Sequence, residues 1–409
     1  MANNIHKLYD LCIVGAGPMG SAAARHATLI DPQLKVCLIG QKEPKDRLAC
    51  SHDIFGSHYD EGRVVAVLIG DPIWKELTRR SASRFRDLEQ ITGIEFFTEA
   101  GQLIIGRESD HNIKRIQRIV PSMESQVQTL DRAMVTGKYP FLSVRQADDT
   151  IFYTKSAGFV SPRKLILAQQ AAARFQGCNV FYDVVDQVTE LDHGESKCMM
   201  VATANGNIYH ARKVLLTPGA FIGFRKLLPV GKELDLTLLK QHLAFIELRH
   251  KDVRRLRNMP VIRWRSEIDE KNYILPPIKY PNGKYYLKIG RRSKEKVETR
   301  EKVVEYLKRD PSKVVADPHL LELLLELVKD IEVVSTHGDS CVSAHTPNGL
   351  LYCDMVTPRL GVATAGNGTG VMASDEIGKM AARMMISGSW DHDLPRENFK
   401  AKFRVKSKL

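Results

Sequence analysis

The sequence predicts an α/β protein that carries an inserted α+β domain. Three observations lead to this. Strands and helices alternate near both ends of the 409-residue chain, and residues 235–300 are rich in short strands and turns. Residues Tyr9–Ile39 form a complete βαβ unit. At about 150 residues per domain the length allows roughly two or three domains. Such a chain buries a large core without staples. Apolar residues at 43% and charged residues at 26% fit a globular chain and exclude a disordered, collagen-like or disulfide-scaffold one.

The elements follow in order. Tyr9–Val14 reads as an apolar strand, Ser21–Ile30 as a helix and Lys35–Ile39 as a second strand. One helix is expected over Asp71–Thr92 and a strand over Gly101–Gly106, with 107–148 polar and helical or loop-like. Ser161-Pro162-Arg163 opens a capped helix reaching Gln176. Asn179–Leu191 and Met199–Tyr209 alternate as strands, and Val214–Thr217 is a buried strand running into a glycine turn. Residues 301–330 are helical, and Gly361–Ala365 is a strand leading into Gly366–Gly370 and the helix Met372–Ser387.

Charge and cysteines narrow the function classes. The net charge is +12, with clusters at Lys284–Lys296 and, more weakly, Lys251–Arg265. No basic stripe is interleaved with aromatics, so a solvated surface is the simpler reading and nucleic-acid binding is not expected. No run of 18 or more uncharged apolar residues indicates a membrane helix, and no secretory h-region follows the start. Seven cysteines form no CxxC pair, which excludes a zinc ribbon and gives no metal site. Their odd number fits reduced thiols.

Gly15-Ala16-Gly17-Pro18-Met19-Gly20 has the GxGxxG spacing between a strand and a helix. The first glycine makes the turn, the second admits a pyrophosphate, and the third lets helix and strand pack. This loop is expected to bind a dinucleotide. The acid that normally ends the second strand is absent: Gly40 holds its place, with Gln41 or Glu43 left to meet the ribose.

Four further segments occur in a telling order. They are Ser57-His58-Tyr59-Asp60-Glu61-Gly62-Arg63, then Leu287-Lys288-Ile289-Gly290, then Cys341 followed by Thr346-Pro347, and finally Ala365-Gly366-Asn367-Gly368-Thr369-Gly370. With the first glycine loop, they make the chain resemble flavoproteins of the D-amino-acid-oxidase superfamily. The closer resemblance is to the monomeric sarcosine oxidase and pipecolate oxidase group, over nearly the whole chain.

The resemblance implies a Rossmann-like FAD-binding domain of the glutathione-reductase type, built from 1–85, 150–222 and 332–400. It implies an inserted α+β substrate domain on an antiparallel sheet, built from 86–149 and 223–331, and a tail at 401–409. FAD would meet Gly15–Gly20, Gln41, Ser57, His58, Arg63, Val185, Gly219, Gly366, Gly368, Thr369, Gly370 and Met372. Cys341 would carry it covalently, although burial is the ordinary fate of a free cysteine. Lys288 would lie at the flavin face and ease electron transfer to oxygen, since a fixed cation favours an anion such as superoxide. A surface lysine in the basic cluster fits the same alternation. Arg63 would set the electrostatics of the ring, His58 is equally a structural histidine, and Arg292 stands where the family often has histidine. Tyr273 aligns loosely with a substrate-contacting tyrosine.

The implied activity is oxidation of a C–N bond in a secondary amine, N-alkyl amino acid or related amine. Hydride passes to the flavin, and O2 then becomes hydrogen peroxide. A dehydrogenase with another acceptor, or a flavin-binding protein with little turnover, is the alternative. The two cations that hold the substrate carboxylate in the group are replaced by Ala66 and Met372. Either Arg292, Tyr273 or Lys279 rebuilds an anion site elsewhere, or the substrate is a larger or less anionic amine. The last three residues, Ser407-Lys408-Leu409, match a receptor-read peroxisomal address. The expected partners are a small-molecule amine, O2 and the peroxisomal import receptor, without membrane, and the chain is expected to be a monomer.

Overall fold

The computed structural model describes residues 8–44, 54–123, 126–145, 150–193, 196–265 and 271–404. Ser407-Lys408-Leu409 and Cys50 lie outside them. Among the described residues there are two eight-stranded sheets and one three-stranded sheet. The first sheet has a parallel centre in the order Leu360–Thr364, Ile208–Leu216, Leu8–Val14, Val36–Gly40, Asn179–Tyr182. Its central strands are apolar on both faces, as a parallel sheet covered on both sides requires. Cys12, Ile13, Leu38 and Leu215 are all fully buried.

Three helices lie against this sheet. Pro18–Ile30 packs between Ser374–Ser387 and Pro162–Phe175. Gly378 lets two of them approach, because a Cβ there would come within 2.5 Å of Ala22 Cβ. Beneath this crossing Asp375 takes hydrogen bonds from Arg25, Gln169 (2.8 Å) and Arg84 (2.6 Å). Burial alone would raise that carboxyl, yet His26, Arg25 and Arg84 hold it well below its usual range. The crossing fixes the two glycine turns relative to each other, since Gly17 opens one helix and Gly366–Gly370 precedes the other.

The second sheet is mixed. Its order is Val333–His345, Thr237–Leu248, Tyr285–Lys296, Asn272–Lys279, Val261–Arg265, Gln102–Gly106, Thr150–Thr154, Val127–Leu130. Val261–Arg265 and Gln102–Gly106 run parallel, and the other pairs are antiparallel. Alternation divides its central strands between two faces. Ile246, Leu287, Ile289, Ile274 and Trp264 pack under the helix Pro318–Leu327. The opposite face presents Gln241, Leu243, Lys288, Gly290, Arg292, Tyr273, Arg263 and Arg265 in register. Val333–His345 and Thr150–Thr154 belong to this sheet, although the sequence reading groups both with the FAD-binding segments.

Several expected elements divide. The helix expected over 71–92 is two helices, Pro72–Ala82 and Phe85–Thr92. The break at Ser83–Arg84 lets the Arg84 guanidinium turn inward to Asp375 and Glu376. The strand expected over 179–191 is Asn179–Tyr182 and Val185–His193, at different edges of the sheet. Asp183 separates them and ties down Thr203, Asn205 and Asn207. The strand expected over 199–209 is a hairpin, because Asn205-Gly206 forms its turn with Gly206 at φ +80°. Pro311 and Pro318 divide the helical stretch 301–330.

Candidate active site

A cavity of about 660 Å³ opens between the two large sheets. That lies in the range of small-molecule and cofactor sites, about 300–1,000 Å³. One end is the first glycine loop. Gly15 has φ +110°, and a Cβ there would come within 2.5 Å of the Thr217 carbonyl oxygen. Thr217 Oγ1 in turn donates to the Gly15 carbonyl at 2.8 Å. A Cβ on Gly20 would collide with Gly15 O, so the third glycine serves helix–strand contact and does not line the cavity. A Cβ on Gly17 would meet nothing within 4 Å. It marks open space at the start of a 13-residue helix whose first turn has no side-chain cap. Free amides facing a cavity suit an anionic group, so this cradle fits the pyrophosphate of a dinucleotide.

Gly40 is explained by crowding. A Cβ there would lie 2.4 Å from the Ala16 amide, so an acid cannot stand at that point without moving the loop. Gln41 and Glu43 both line the cavity. Glu43 is held by His58 Nε2 at 2.7 Å and Arg163 Nε at 2.8 Å, which leaves Gln41 as the polar side chain for the ribose. His58 is thus a buried partner of Glu43, stacked edge-on against Tyr59.

The second glycine turn lies at the far wall. A Cβ on Gly370 would strike Met19 Cε at 2.6 Å, so the two glycine motifs touch. The turn is conformationally strained. Ala365 (φ 63°) and Asn367 (φ 50°) are both left-handed without being glycine. Asn367 holds it by donating to Ala365 O at 2.7 Å and accepting from the Thr346 amide at 3.0 Å. Gly366, Gly368, Thr369 and Met372 line the cavity, as do Val185 and Gly219.

The sheet face forms the floor. Pairing runs Cys341, Gln241, Arg292 in one row and Leu243, Gly290, Tyr273, Arg263 in the next. Gly290 is where the Tyr273 ring lies, since a Cβ there would be 2.5 Å from the tyrosine oxygen. In the third row stands Lys288, 1% exposed. It is not a surface lysine, but neither does it line the cavity. Its Nζ bonds to Asp60 and to the Gly62 carbonyl (3.1 Å). Arg63 also bonds to Asp60, and Tyr280 Oη donates to it at 2.7 Å. Burial would raise the Asp60 carboxyl, but Lys288 and Arg63 hold it far below its usual range.

Cys341 is buried between Ser57 and Arg63. Its thiol donates to the Ser57 carbonyl at 3.4 Å, and an Arg63 nitrogen lies 3.9 Å from the sulfur. Burial pushes the thiol pKa up, while Arg63 and Lys288 oppose it. Ala66 and Met372 meet, with the Ala66 amide 3.4 Å from the methionine sulfur, so this corner is apolar. Lys279 is exposed and outside the cavity wall, because it ends its strand beyond the Pro276-Pro277 bulge. Sequence reasoning did not single out Asp60, Tyr280, Asn367, Arg263 or Arg265.

Comparison with known proteins agrees with this architecture. A family model described as FAD dependent oxidoreductase matches residues 10–384. Monomeric sarcosine oxidase of Streptomyces avermitilis is 23% identical over 394 residues, 94% of this chain and 96% of that protein. N-methyl-L-tryptophan oxidase of Yersinia pestis is 25% identical over 222 residues, 54% of this chain and 56% of that protein. Among solved structures, NikD, an unusual amino acid oxidase essential for nikkomycin biosynthesis, superposes with a TM-score of 0.73 at 16% identity. The match covers 97% of this chain and 99% of that one.

Proposed function

The chain belongs to the FAD dependent oxidoreductase family, and from that membership we propose that it oxidises a C–N bond of a small amine and reduces O2 to hydrogen peroxide. The carrying observation is one cavity bordered by both glycine turns, Cys341, Arg63 and Tyr273, with the Lys288–Asp60 pair directly behind it. Bound FAD would supply the two-electron acceptor that such an oxidation needs.

The residues present fit that group. Gly15–Gly20 would hold the pyrophosphate and Gln41 the ribose. The backbone amides around Gly366–Gly370 and the Arg63 guanidinium would bring positive potential to the ring. Tyr273, with its ring across Gly290, would limit where the substrate sits. The Lys288 ammonium is fixed in place by Asp60 and Gly62 and would stabilise negative charge growing on oxygen. Covalent attachment through Cys341 is supported by the Arg63 guanidinium 3.9 Å from its sulfur, which opposes the rise that burial imposes on the thiol.

One observation favours a second reading, a dehydrogenase with another acceptor. Asp60 partly neutralises Lys288, and the ammonium is withdrawn from the cavity wall. The test of C–N oxidation is direct. The purified protein should be yellow, and anaerobic mixing with secondary amines and N-methyl amino acids should bleach its flavin. A colourless protein that binds no added FAD would sink the proposal. Peroxisomal localisation is supported by Ser407-Lys408-Leu409. Imaging should show cytosolic protein once the tripeptide is deleted.

A further inference from the structure

Arg263 and Arg292 stand on the cavity face of the second sheet with no acidic partner among the described residues. Arg263 donates to the Leu68 carbonyl at 3.0 Å, and Arg292 donates to Thr369 Oγ1 at 3.0 Å. Both acceptors are neutral. Arg265, two residues on from Arg263 and therefore on the same face, lines the same cavity. Burial and then the charges of Arg265 and Arg292 push Arg263 down to about 9. The positive potential also reaches His345, which burial and then Arg292 lower to about 4. Asp110 answers part of the Arg265 charge, and Arg292 is open to the cavity. Arg263, partly buried with only a neutral acceptor, is the cation that a ligand's counter-charge would relieve most.

Position matters as much as charge. The corner formed by Ala66 and Met372 is apolar. Leu68 lies two residues beyond Ala66, and the Arg263 guanidinium is bonded to its carbonyl. Arg263 therefore brings a cation from a different strand to the segment where Ala66 offers none. Arg292 does the same at the second glycine turn, whose Met372 offers none. Tyr273 stands between the two strands, paired with Arg263 on one side and Gly290 on the other.

We propose that Arg263 and Arg292 clamp a substrate bearing two acidic groups, so that the amine oxidised here is a dianion such as a dicarboxylate. The amine part rests on the C–N oxidation reading, and the anion clamp does not. The FAD pyrophosphate is the other source of two negative charges. Protein already loaded with FAD separates the sources, because there the pyrophosphate is in place.

The experiment titrates the flavin-loaded protein with malonate, succinate and acetate at constant ionic strength, followed by visible spectrum and by calorimetry. Malonate or succinate should bind at least about tenfold more tightly than acetate. Arg263→Gln and Arg292→Gln should each erase that preference while keeping the flavin, and Lys279→Gln should not. Arg263→Lys and Arg292→Lys, which keep the charge, should retain part of the preference and show whether loss in the Gln variants is electrostatic. Equal affinity for acetate and malonate would overturn the clamp. So would unchanged malonate binding in both Gln variants, or loss of FAD as their primary defect. Bleaching by neutral or monoanionic amines without malonate binding would leave C–N oxidation standing and the clamp refuted. Malonate binding with no amine that bleaches the flavin would do the reverse.

Discussion

Replacing Lys288 by methionine isolates the oxygen step. Lys288 is buried, so methionine fills nearly the same space and removes the charge. The group Lys288, Arg63 and Asp60 then falls from one net positive charge to none. A unit charge about 5 Å from a forming oxygen anion, at an effective dielectric of about 20, is worth roughly 3 kcal/mol. That is about a hundredfold in rate. Asp60 is present before and after, so it leaves this difference unchanged as long as it stays ionised. Arg63 remains bonded to it and keeps it so. The assay is stopped-flow mixing of reduced protein with oxygen. Reoxidation should slow about a hundredfold, while reduction of the flavin by substrate stays within a few-fold. A Lys288→Met rate within about threefold of wild type, only ~0.7 kcal/mol, would refute the assignment. A wild type that already reacts slowly with oxygen would favour the dehydrogenase reading.

Other outcomes follow from single contacts. Gly17→Val should fold and lose FAD, because its Cβ enters the open cradle, whereas Gly15→Val should fail to fold because it meets Thr217 backbone; flavin content and circular dichroism of the two variants check the contrast. Acid precipitation should leave yellow protein in wild type and colourless protein in Cys341→Ser, and free flavin from wild type would make the thiol a packing residue. Asp375→Asn should lower stability by about 3 kcal/mol in urea unfolding, since it leaves the buried Arg25 without its carboxylate and removes one of the two carboxylates that hold Arg84. The Asp375 pKa is depressed in the folded state, so its contribution is complete above an unfolded value of about 4 and is lost as pH falls below it. The gap between wild type and Asp375→Asn should therefore narrow in acid, and a gap that widens there would contradict the buried ion pair.

The parts of the site carried by local sequence were legible. The strand–turn–helix geometry of the first glycine loop is as the sequence predicts, because its parts are contiguous. The same holds for Gly366–Gly370, although the strain at Ala365 and Asn367 is invisible without backbone angles. Turn chemistry was legible but overlooked at Asn205-Gly206, a strong hairpin signal inside a stretch read as one strand. The Pro72–Ala82 and Phe85–Thr92 division was not legible. Its cause is Arg84 reaching Asp375, nearly three hundred residues away in sequence.

Asp60 shows a different limit. It lies inside the Ser57–Arg63 segment, yet nothing in that segment says that its carboxylate meets Lys288. Only the stacking of the segment on Tyr285–Lys296 brings them together. The arginines make the same point more sharply. In Val261-Ile262-Arg263-Trp264-Arg265 the alternation is plain, but it does not say which face is solvent and which is cavity. The parallel pairing with Gln102–Gly106 and the helix Pro318–Leu327 settle that by burying Trp264, so Arg263 and Arg265 must face inward. Polar residues on an alternating strand are normally the solvated set. Here the strand is inside the sheet, its second face looks into the cavity, and the cations that sequence alone assigns to the surface line that cavity instead.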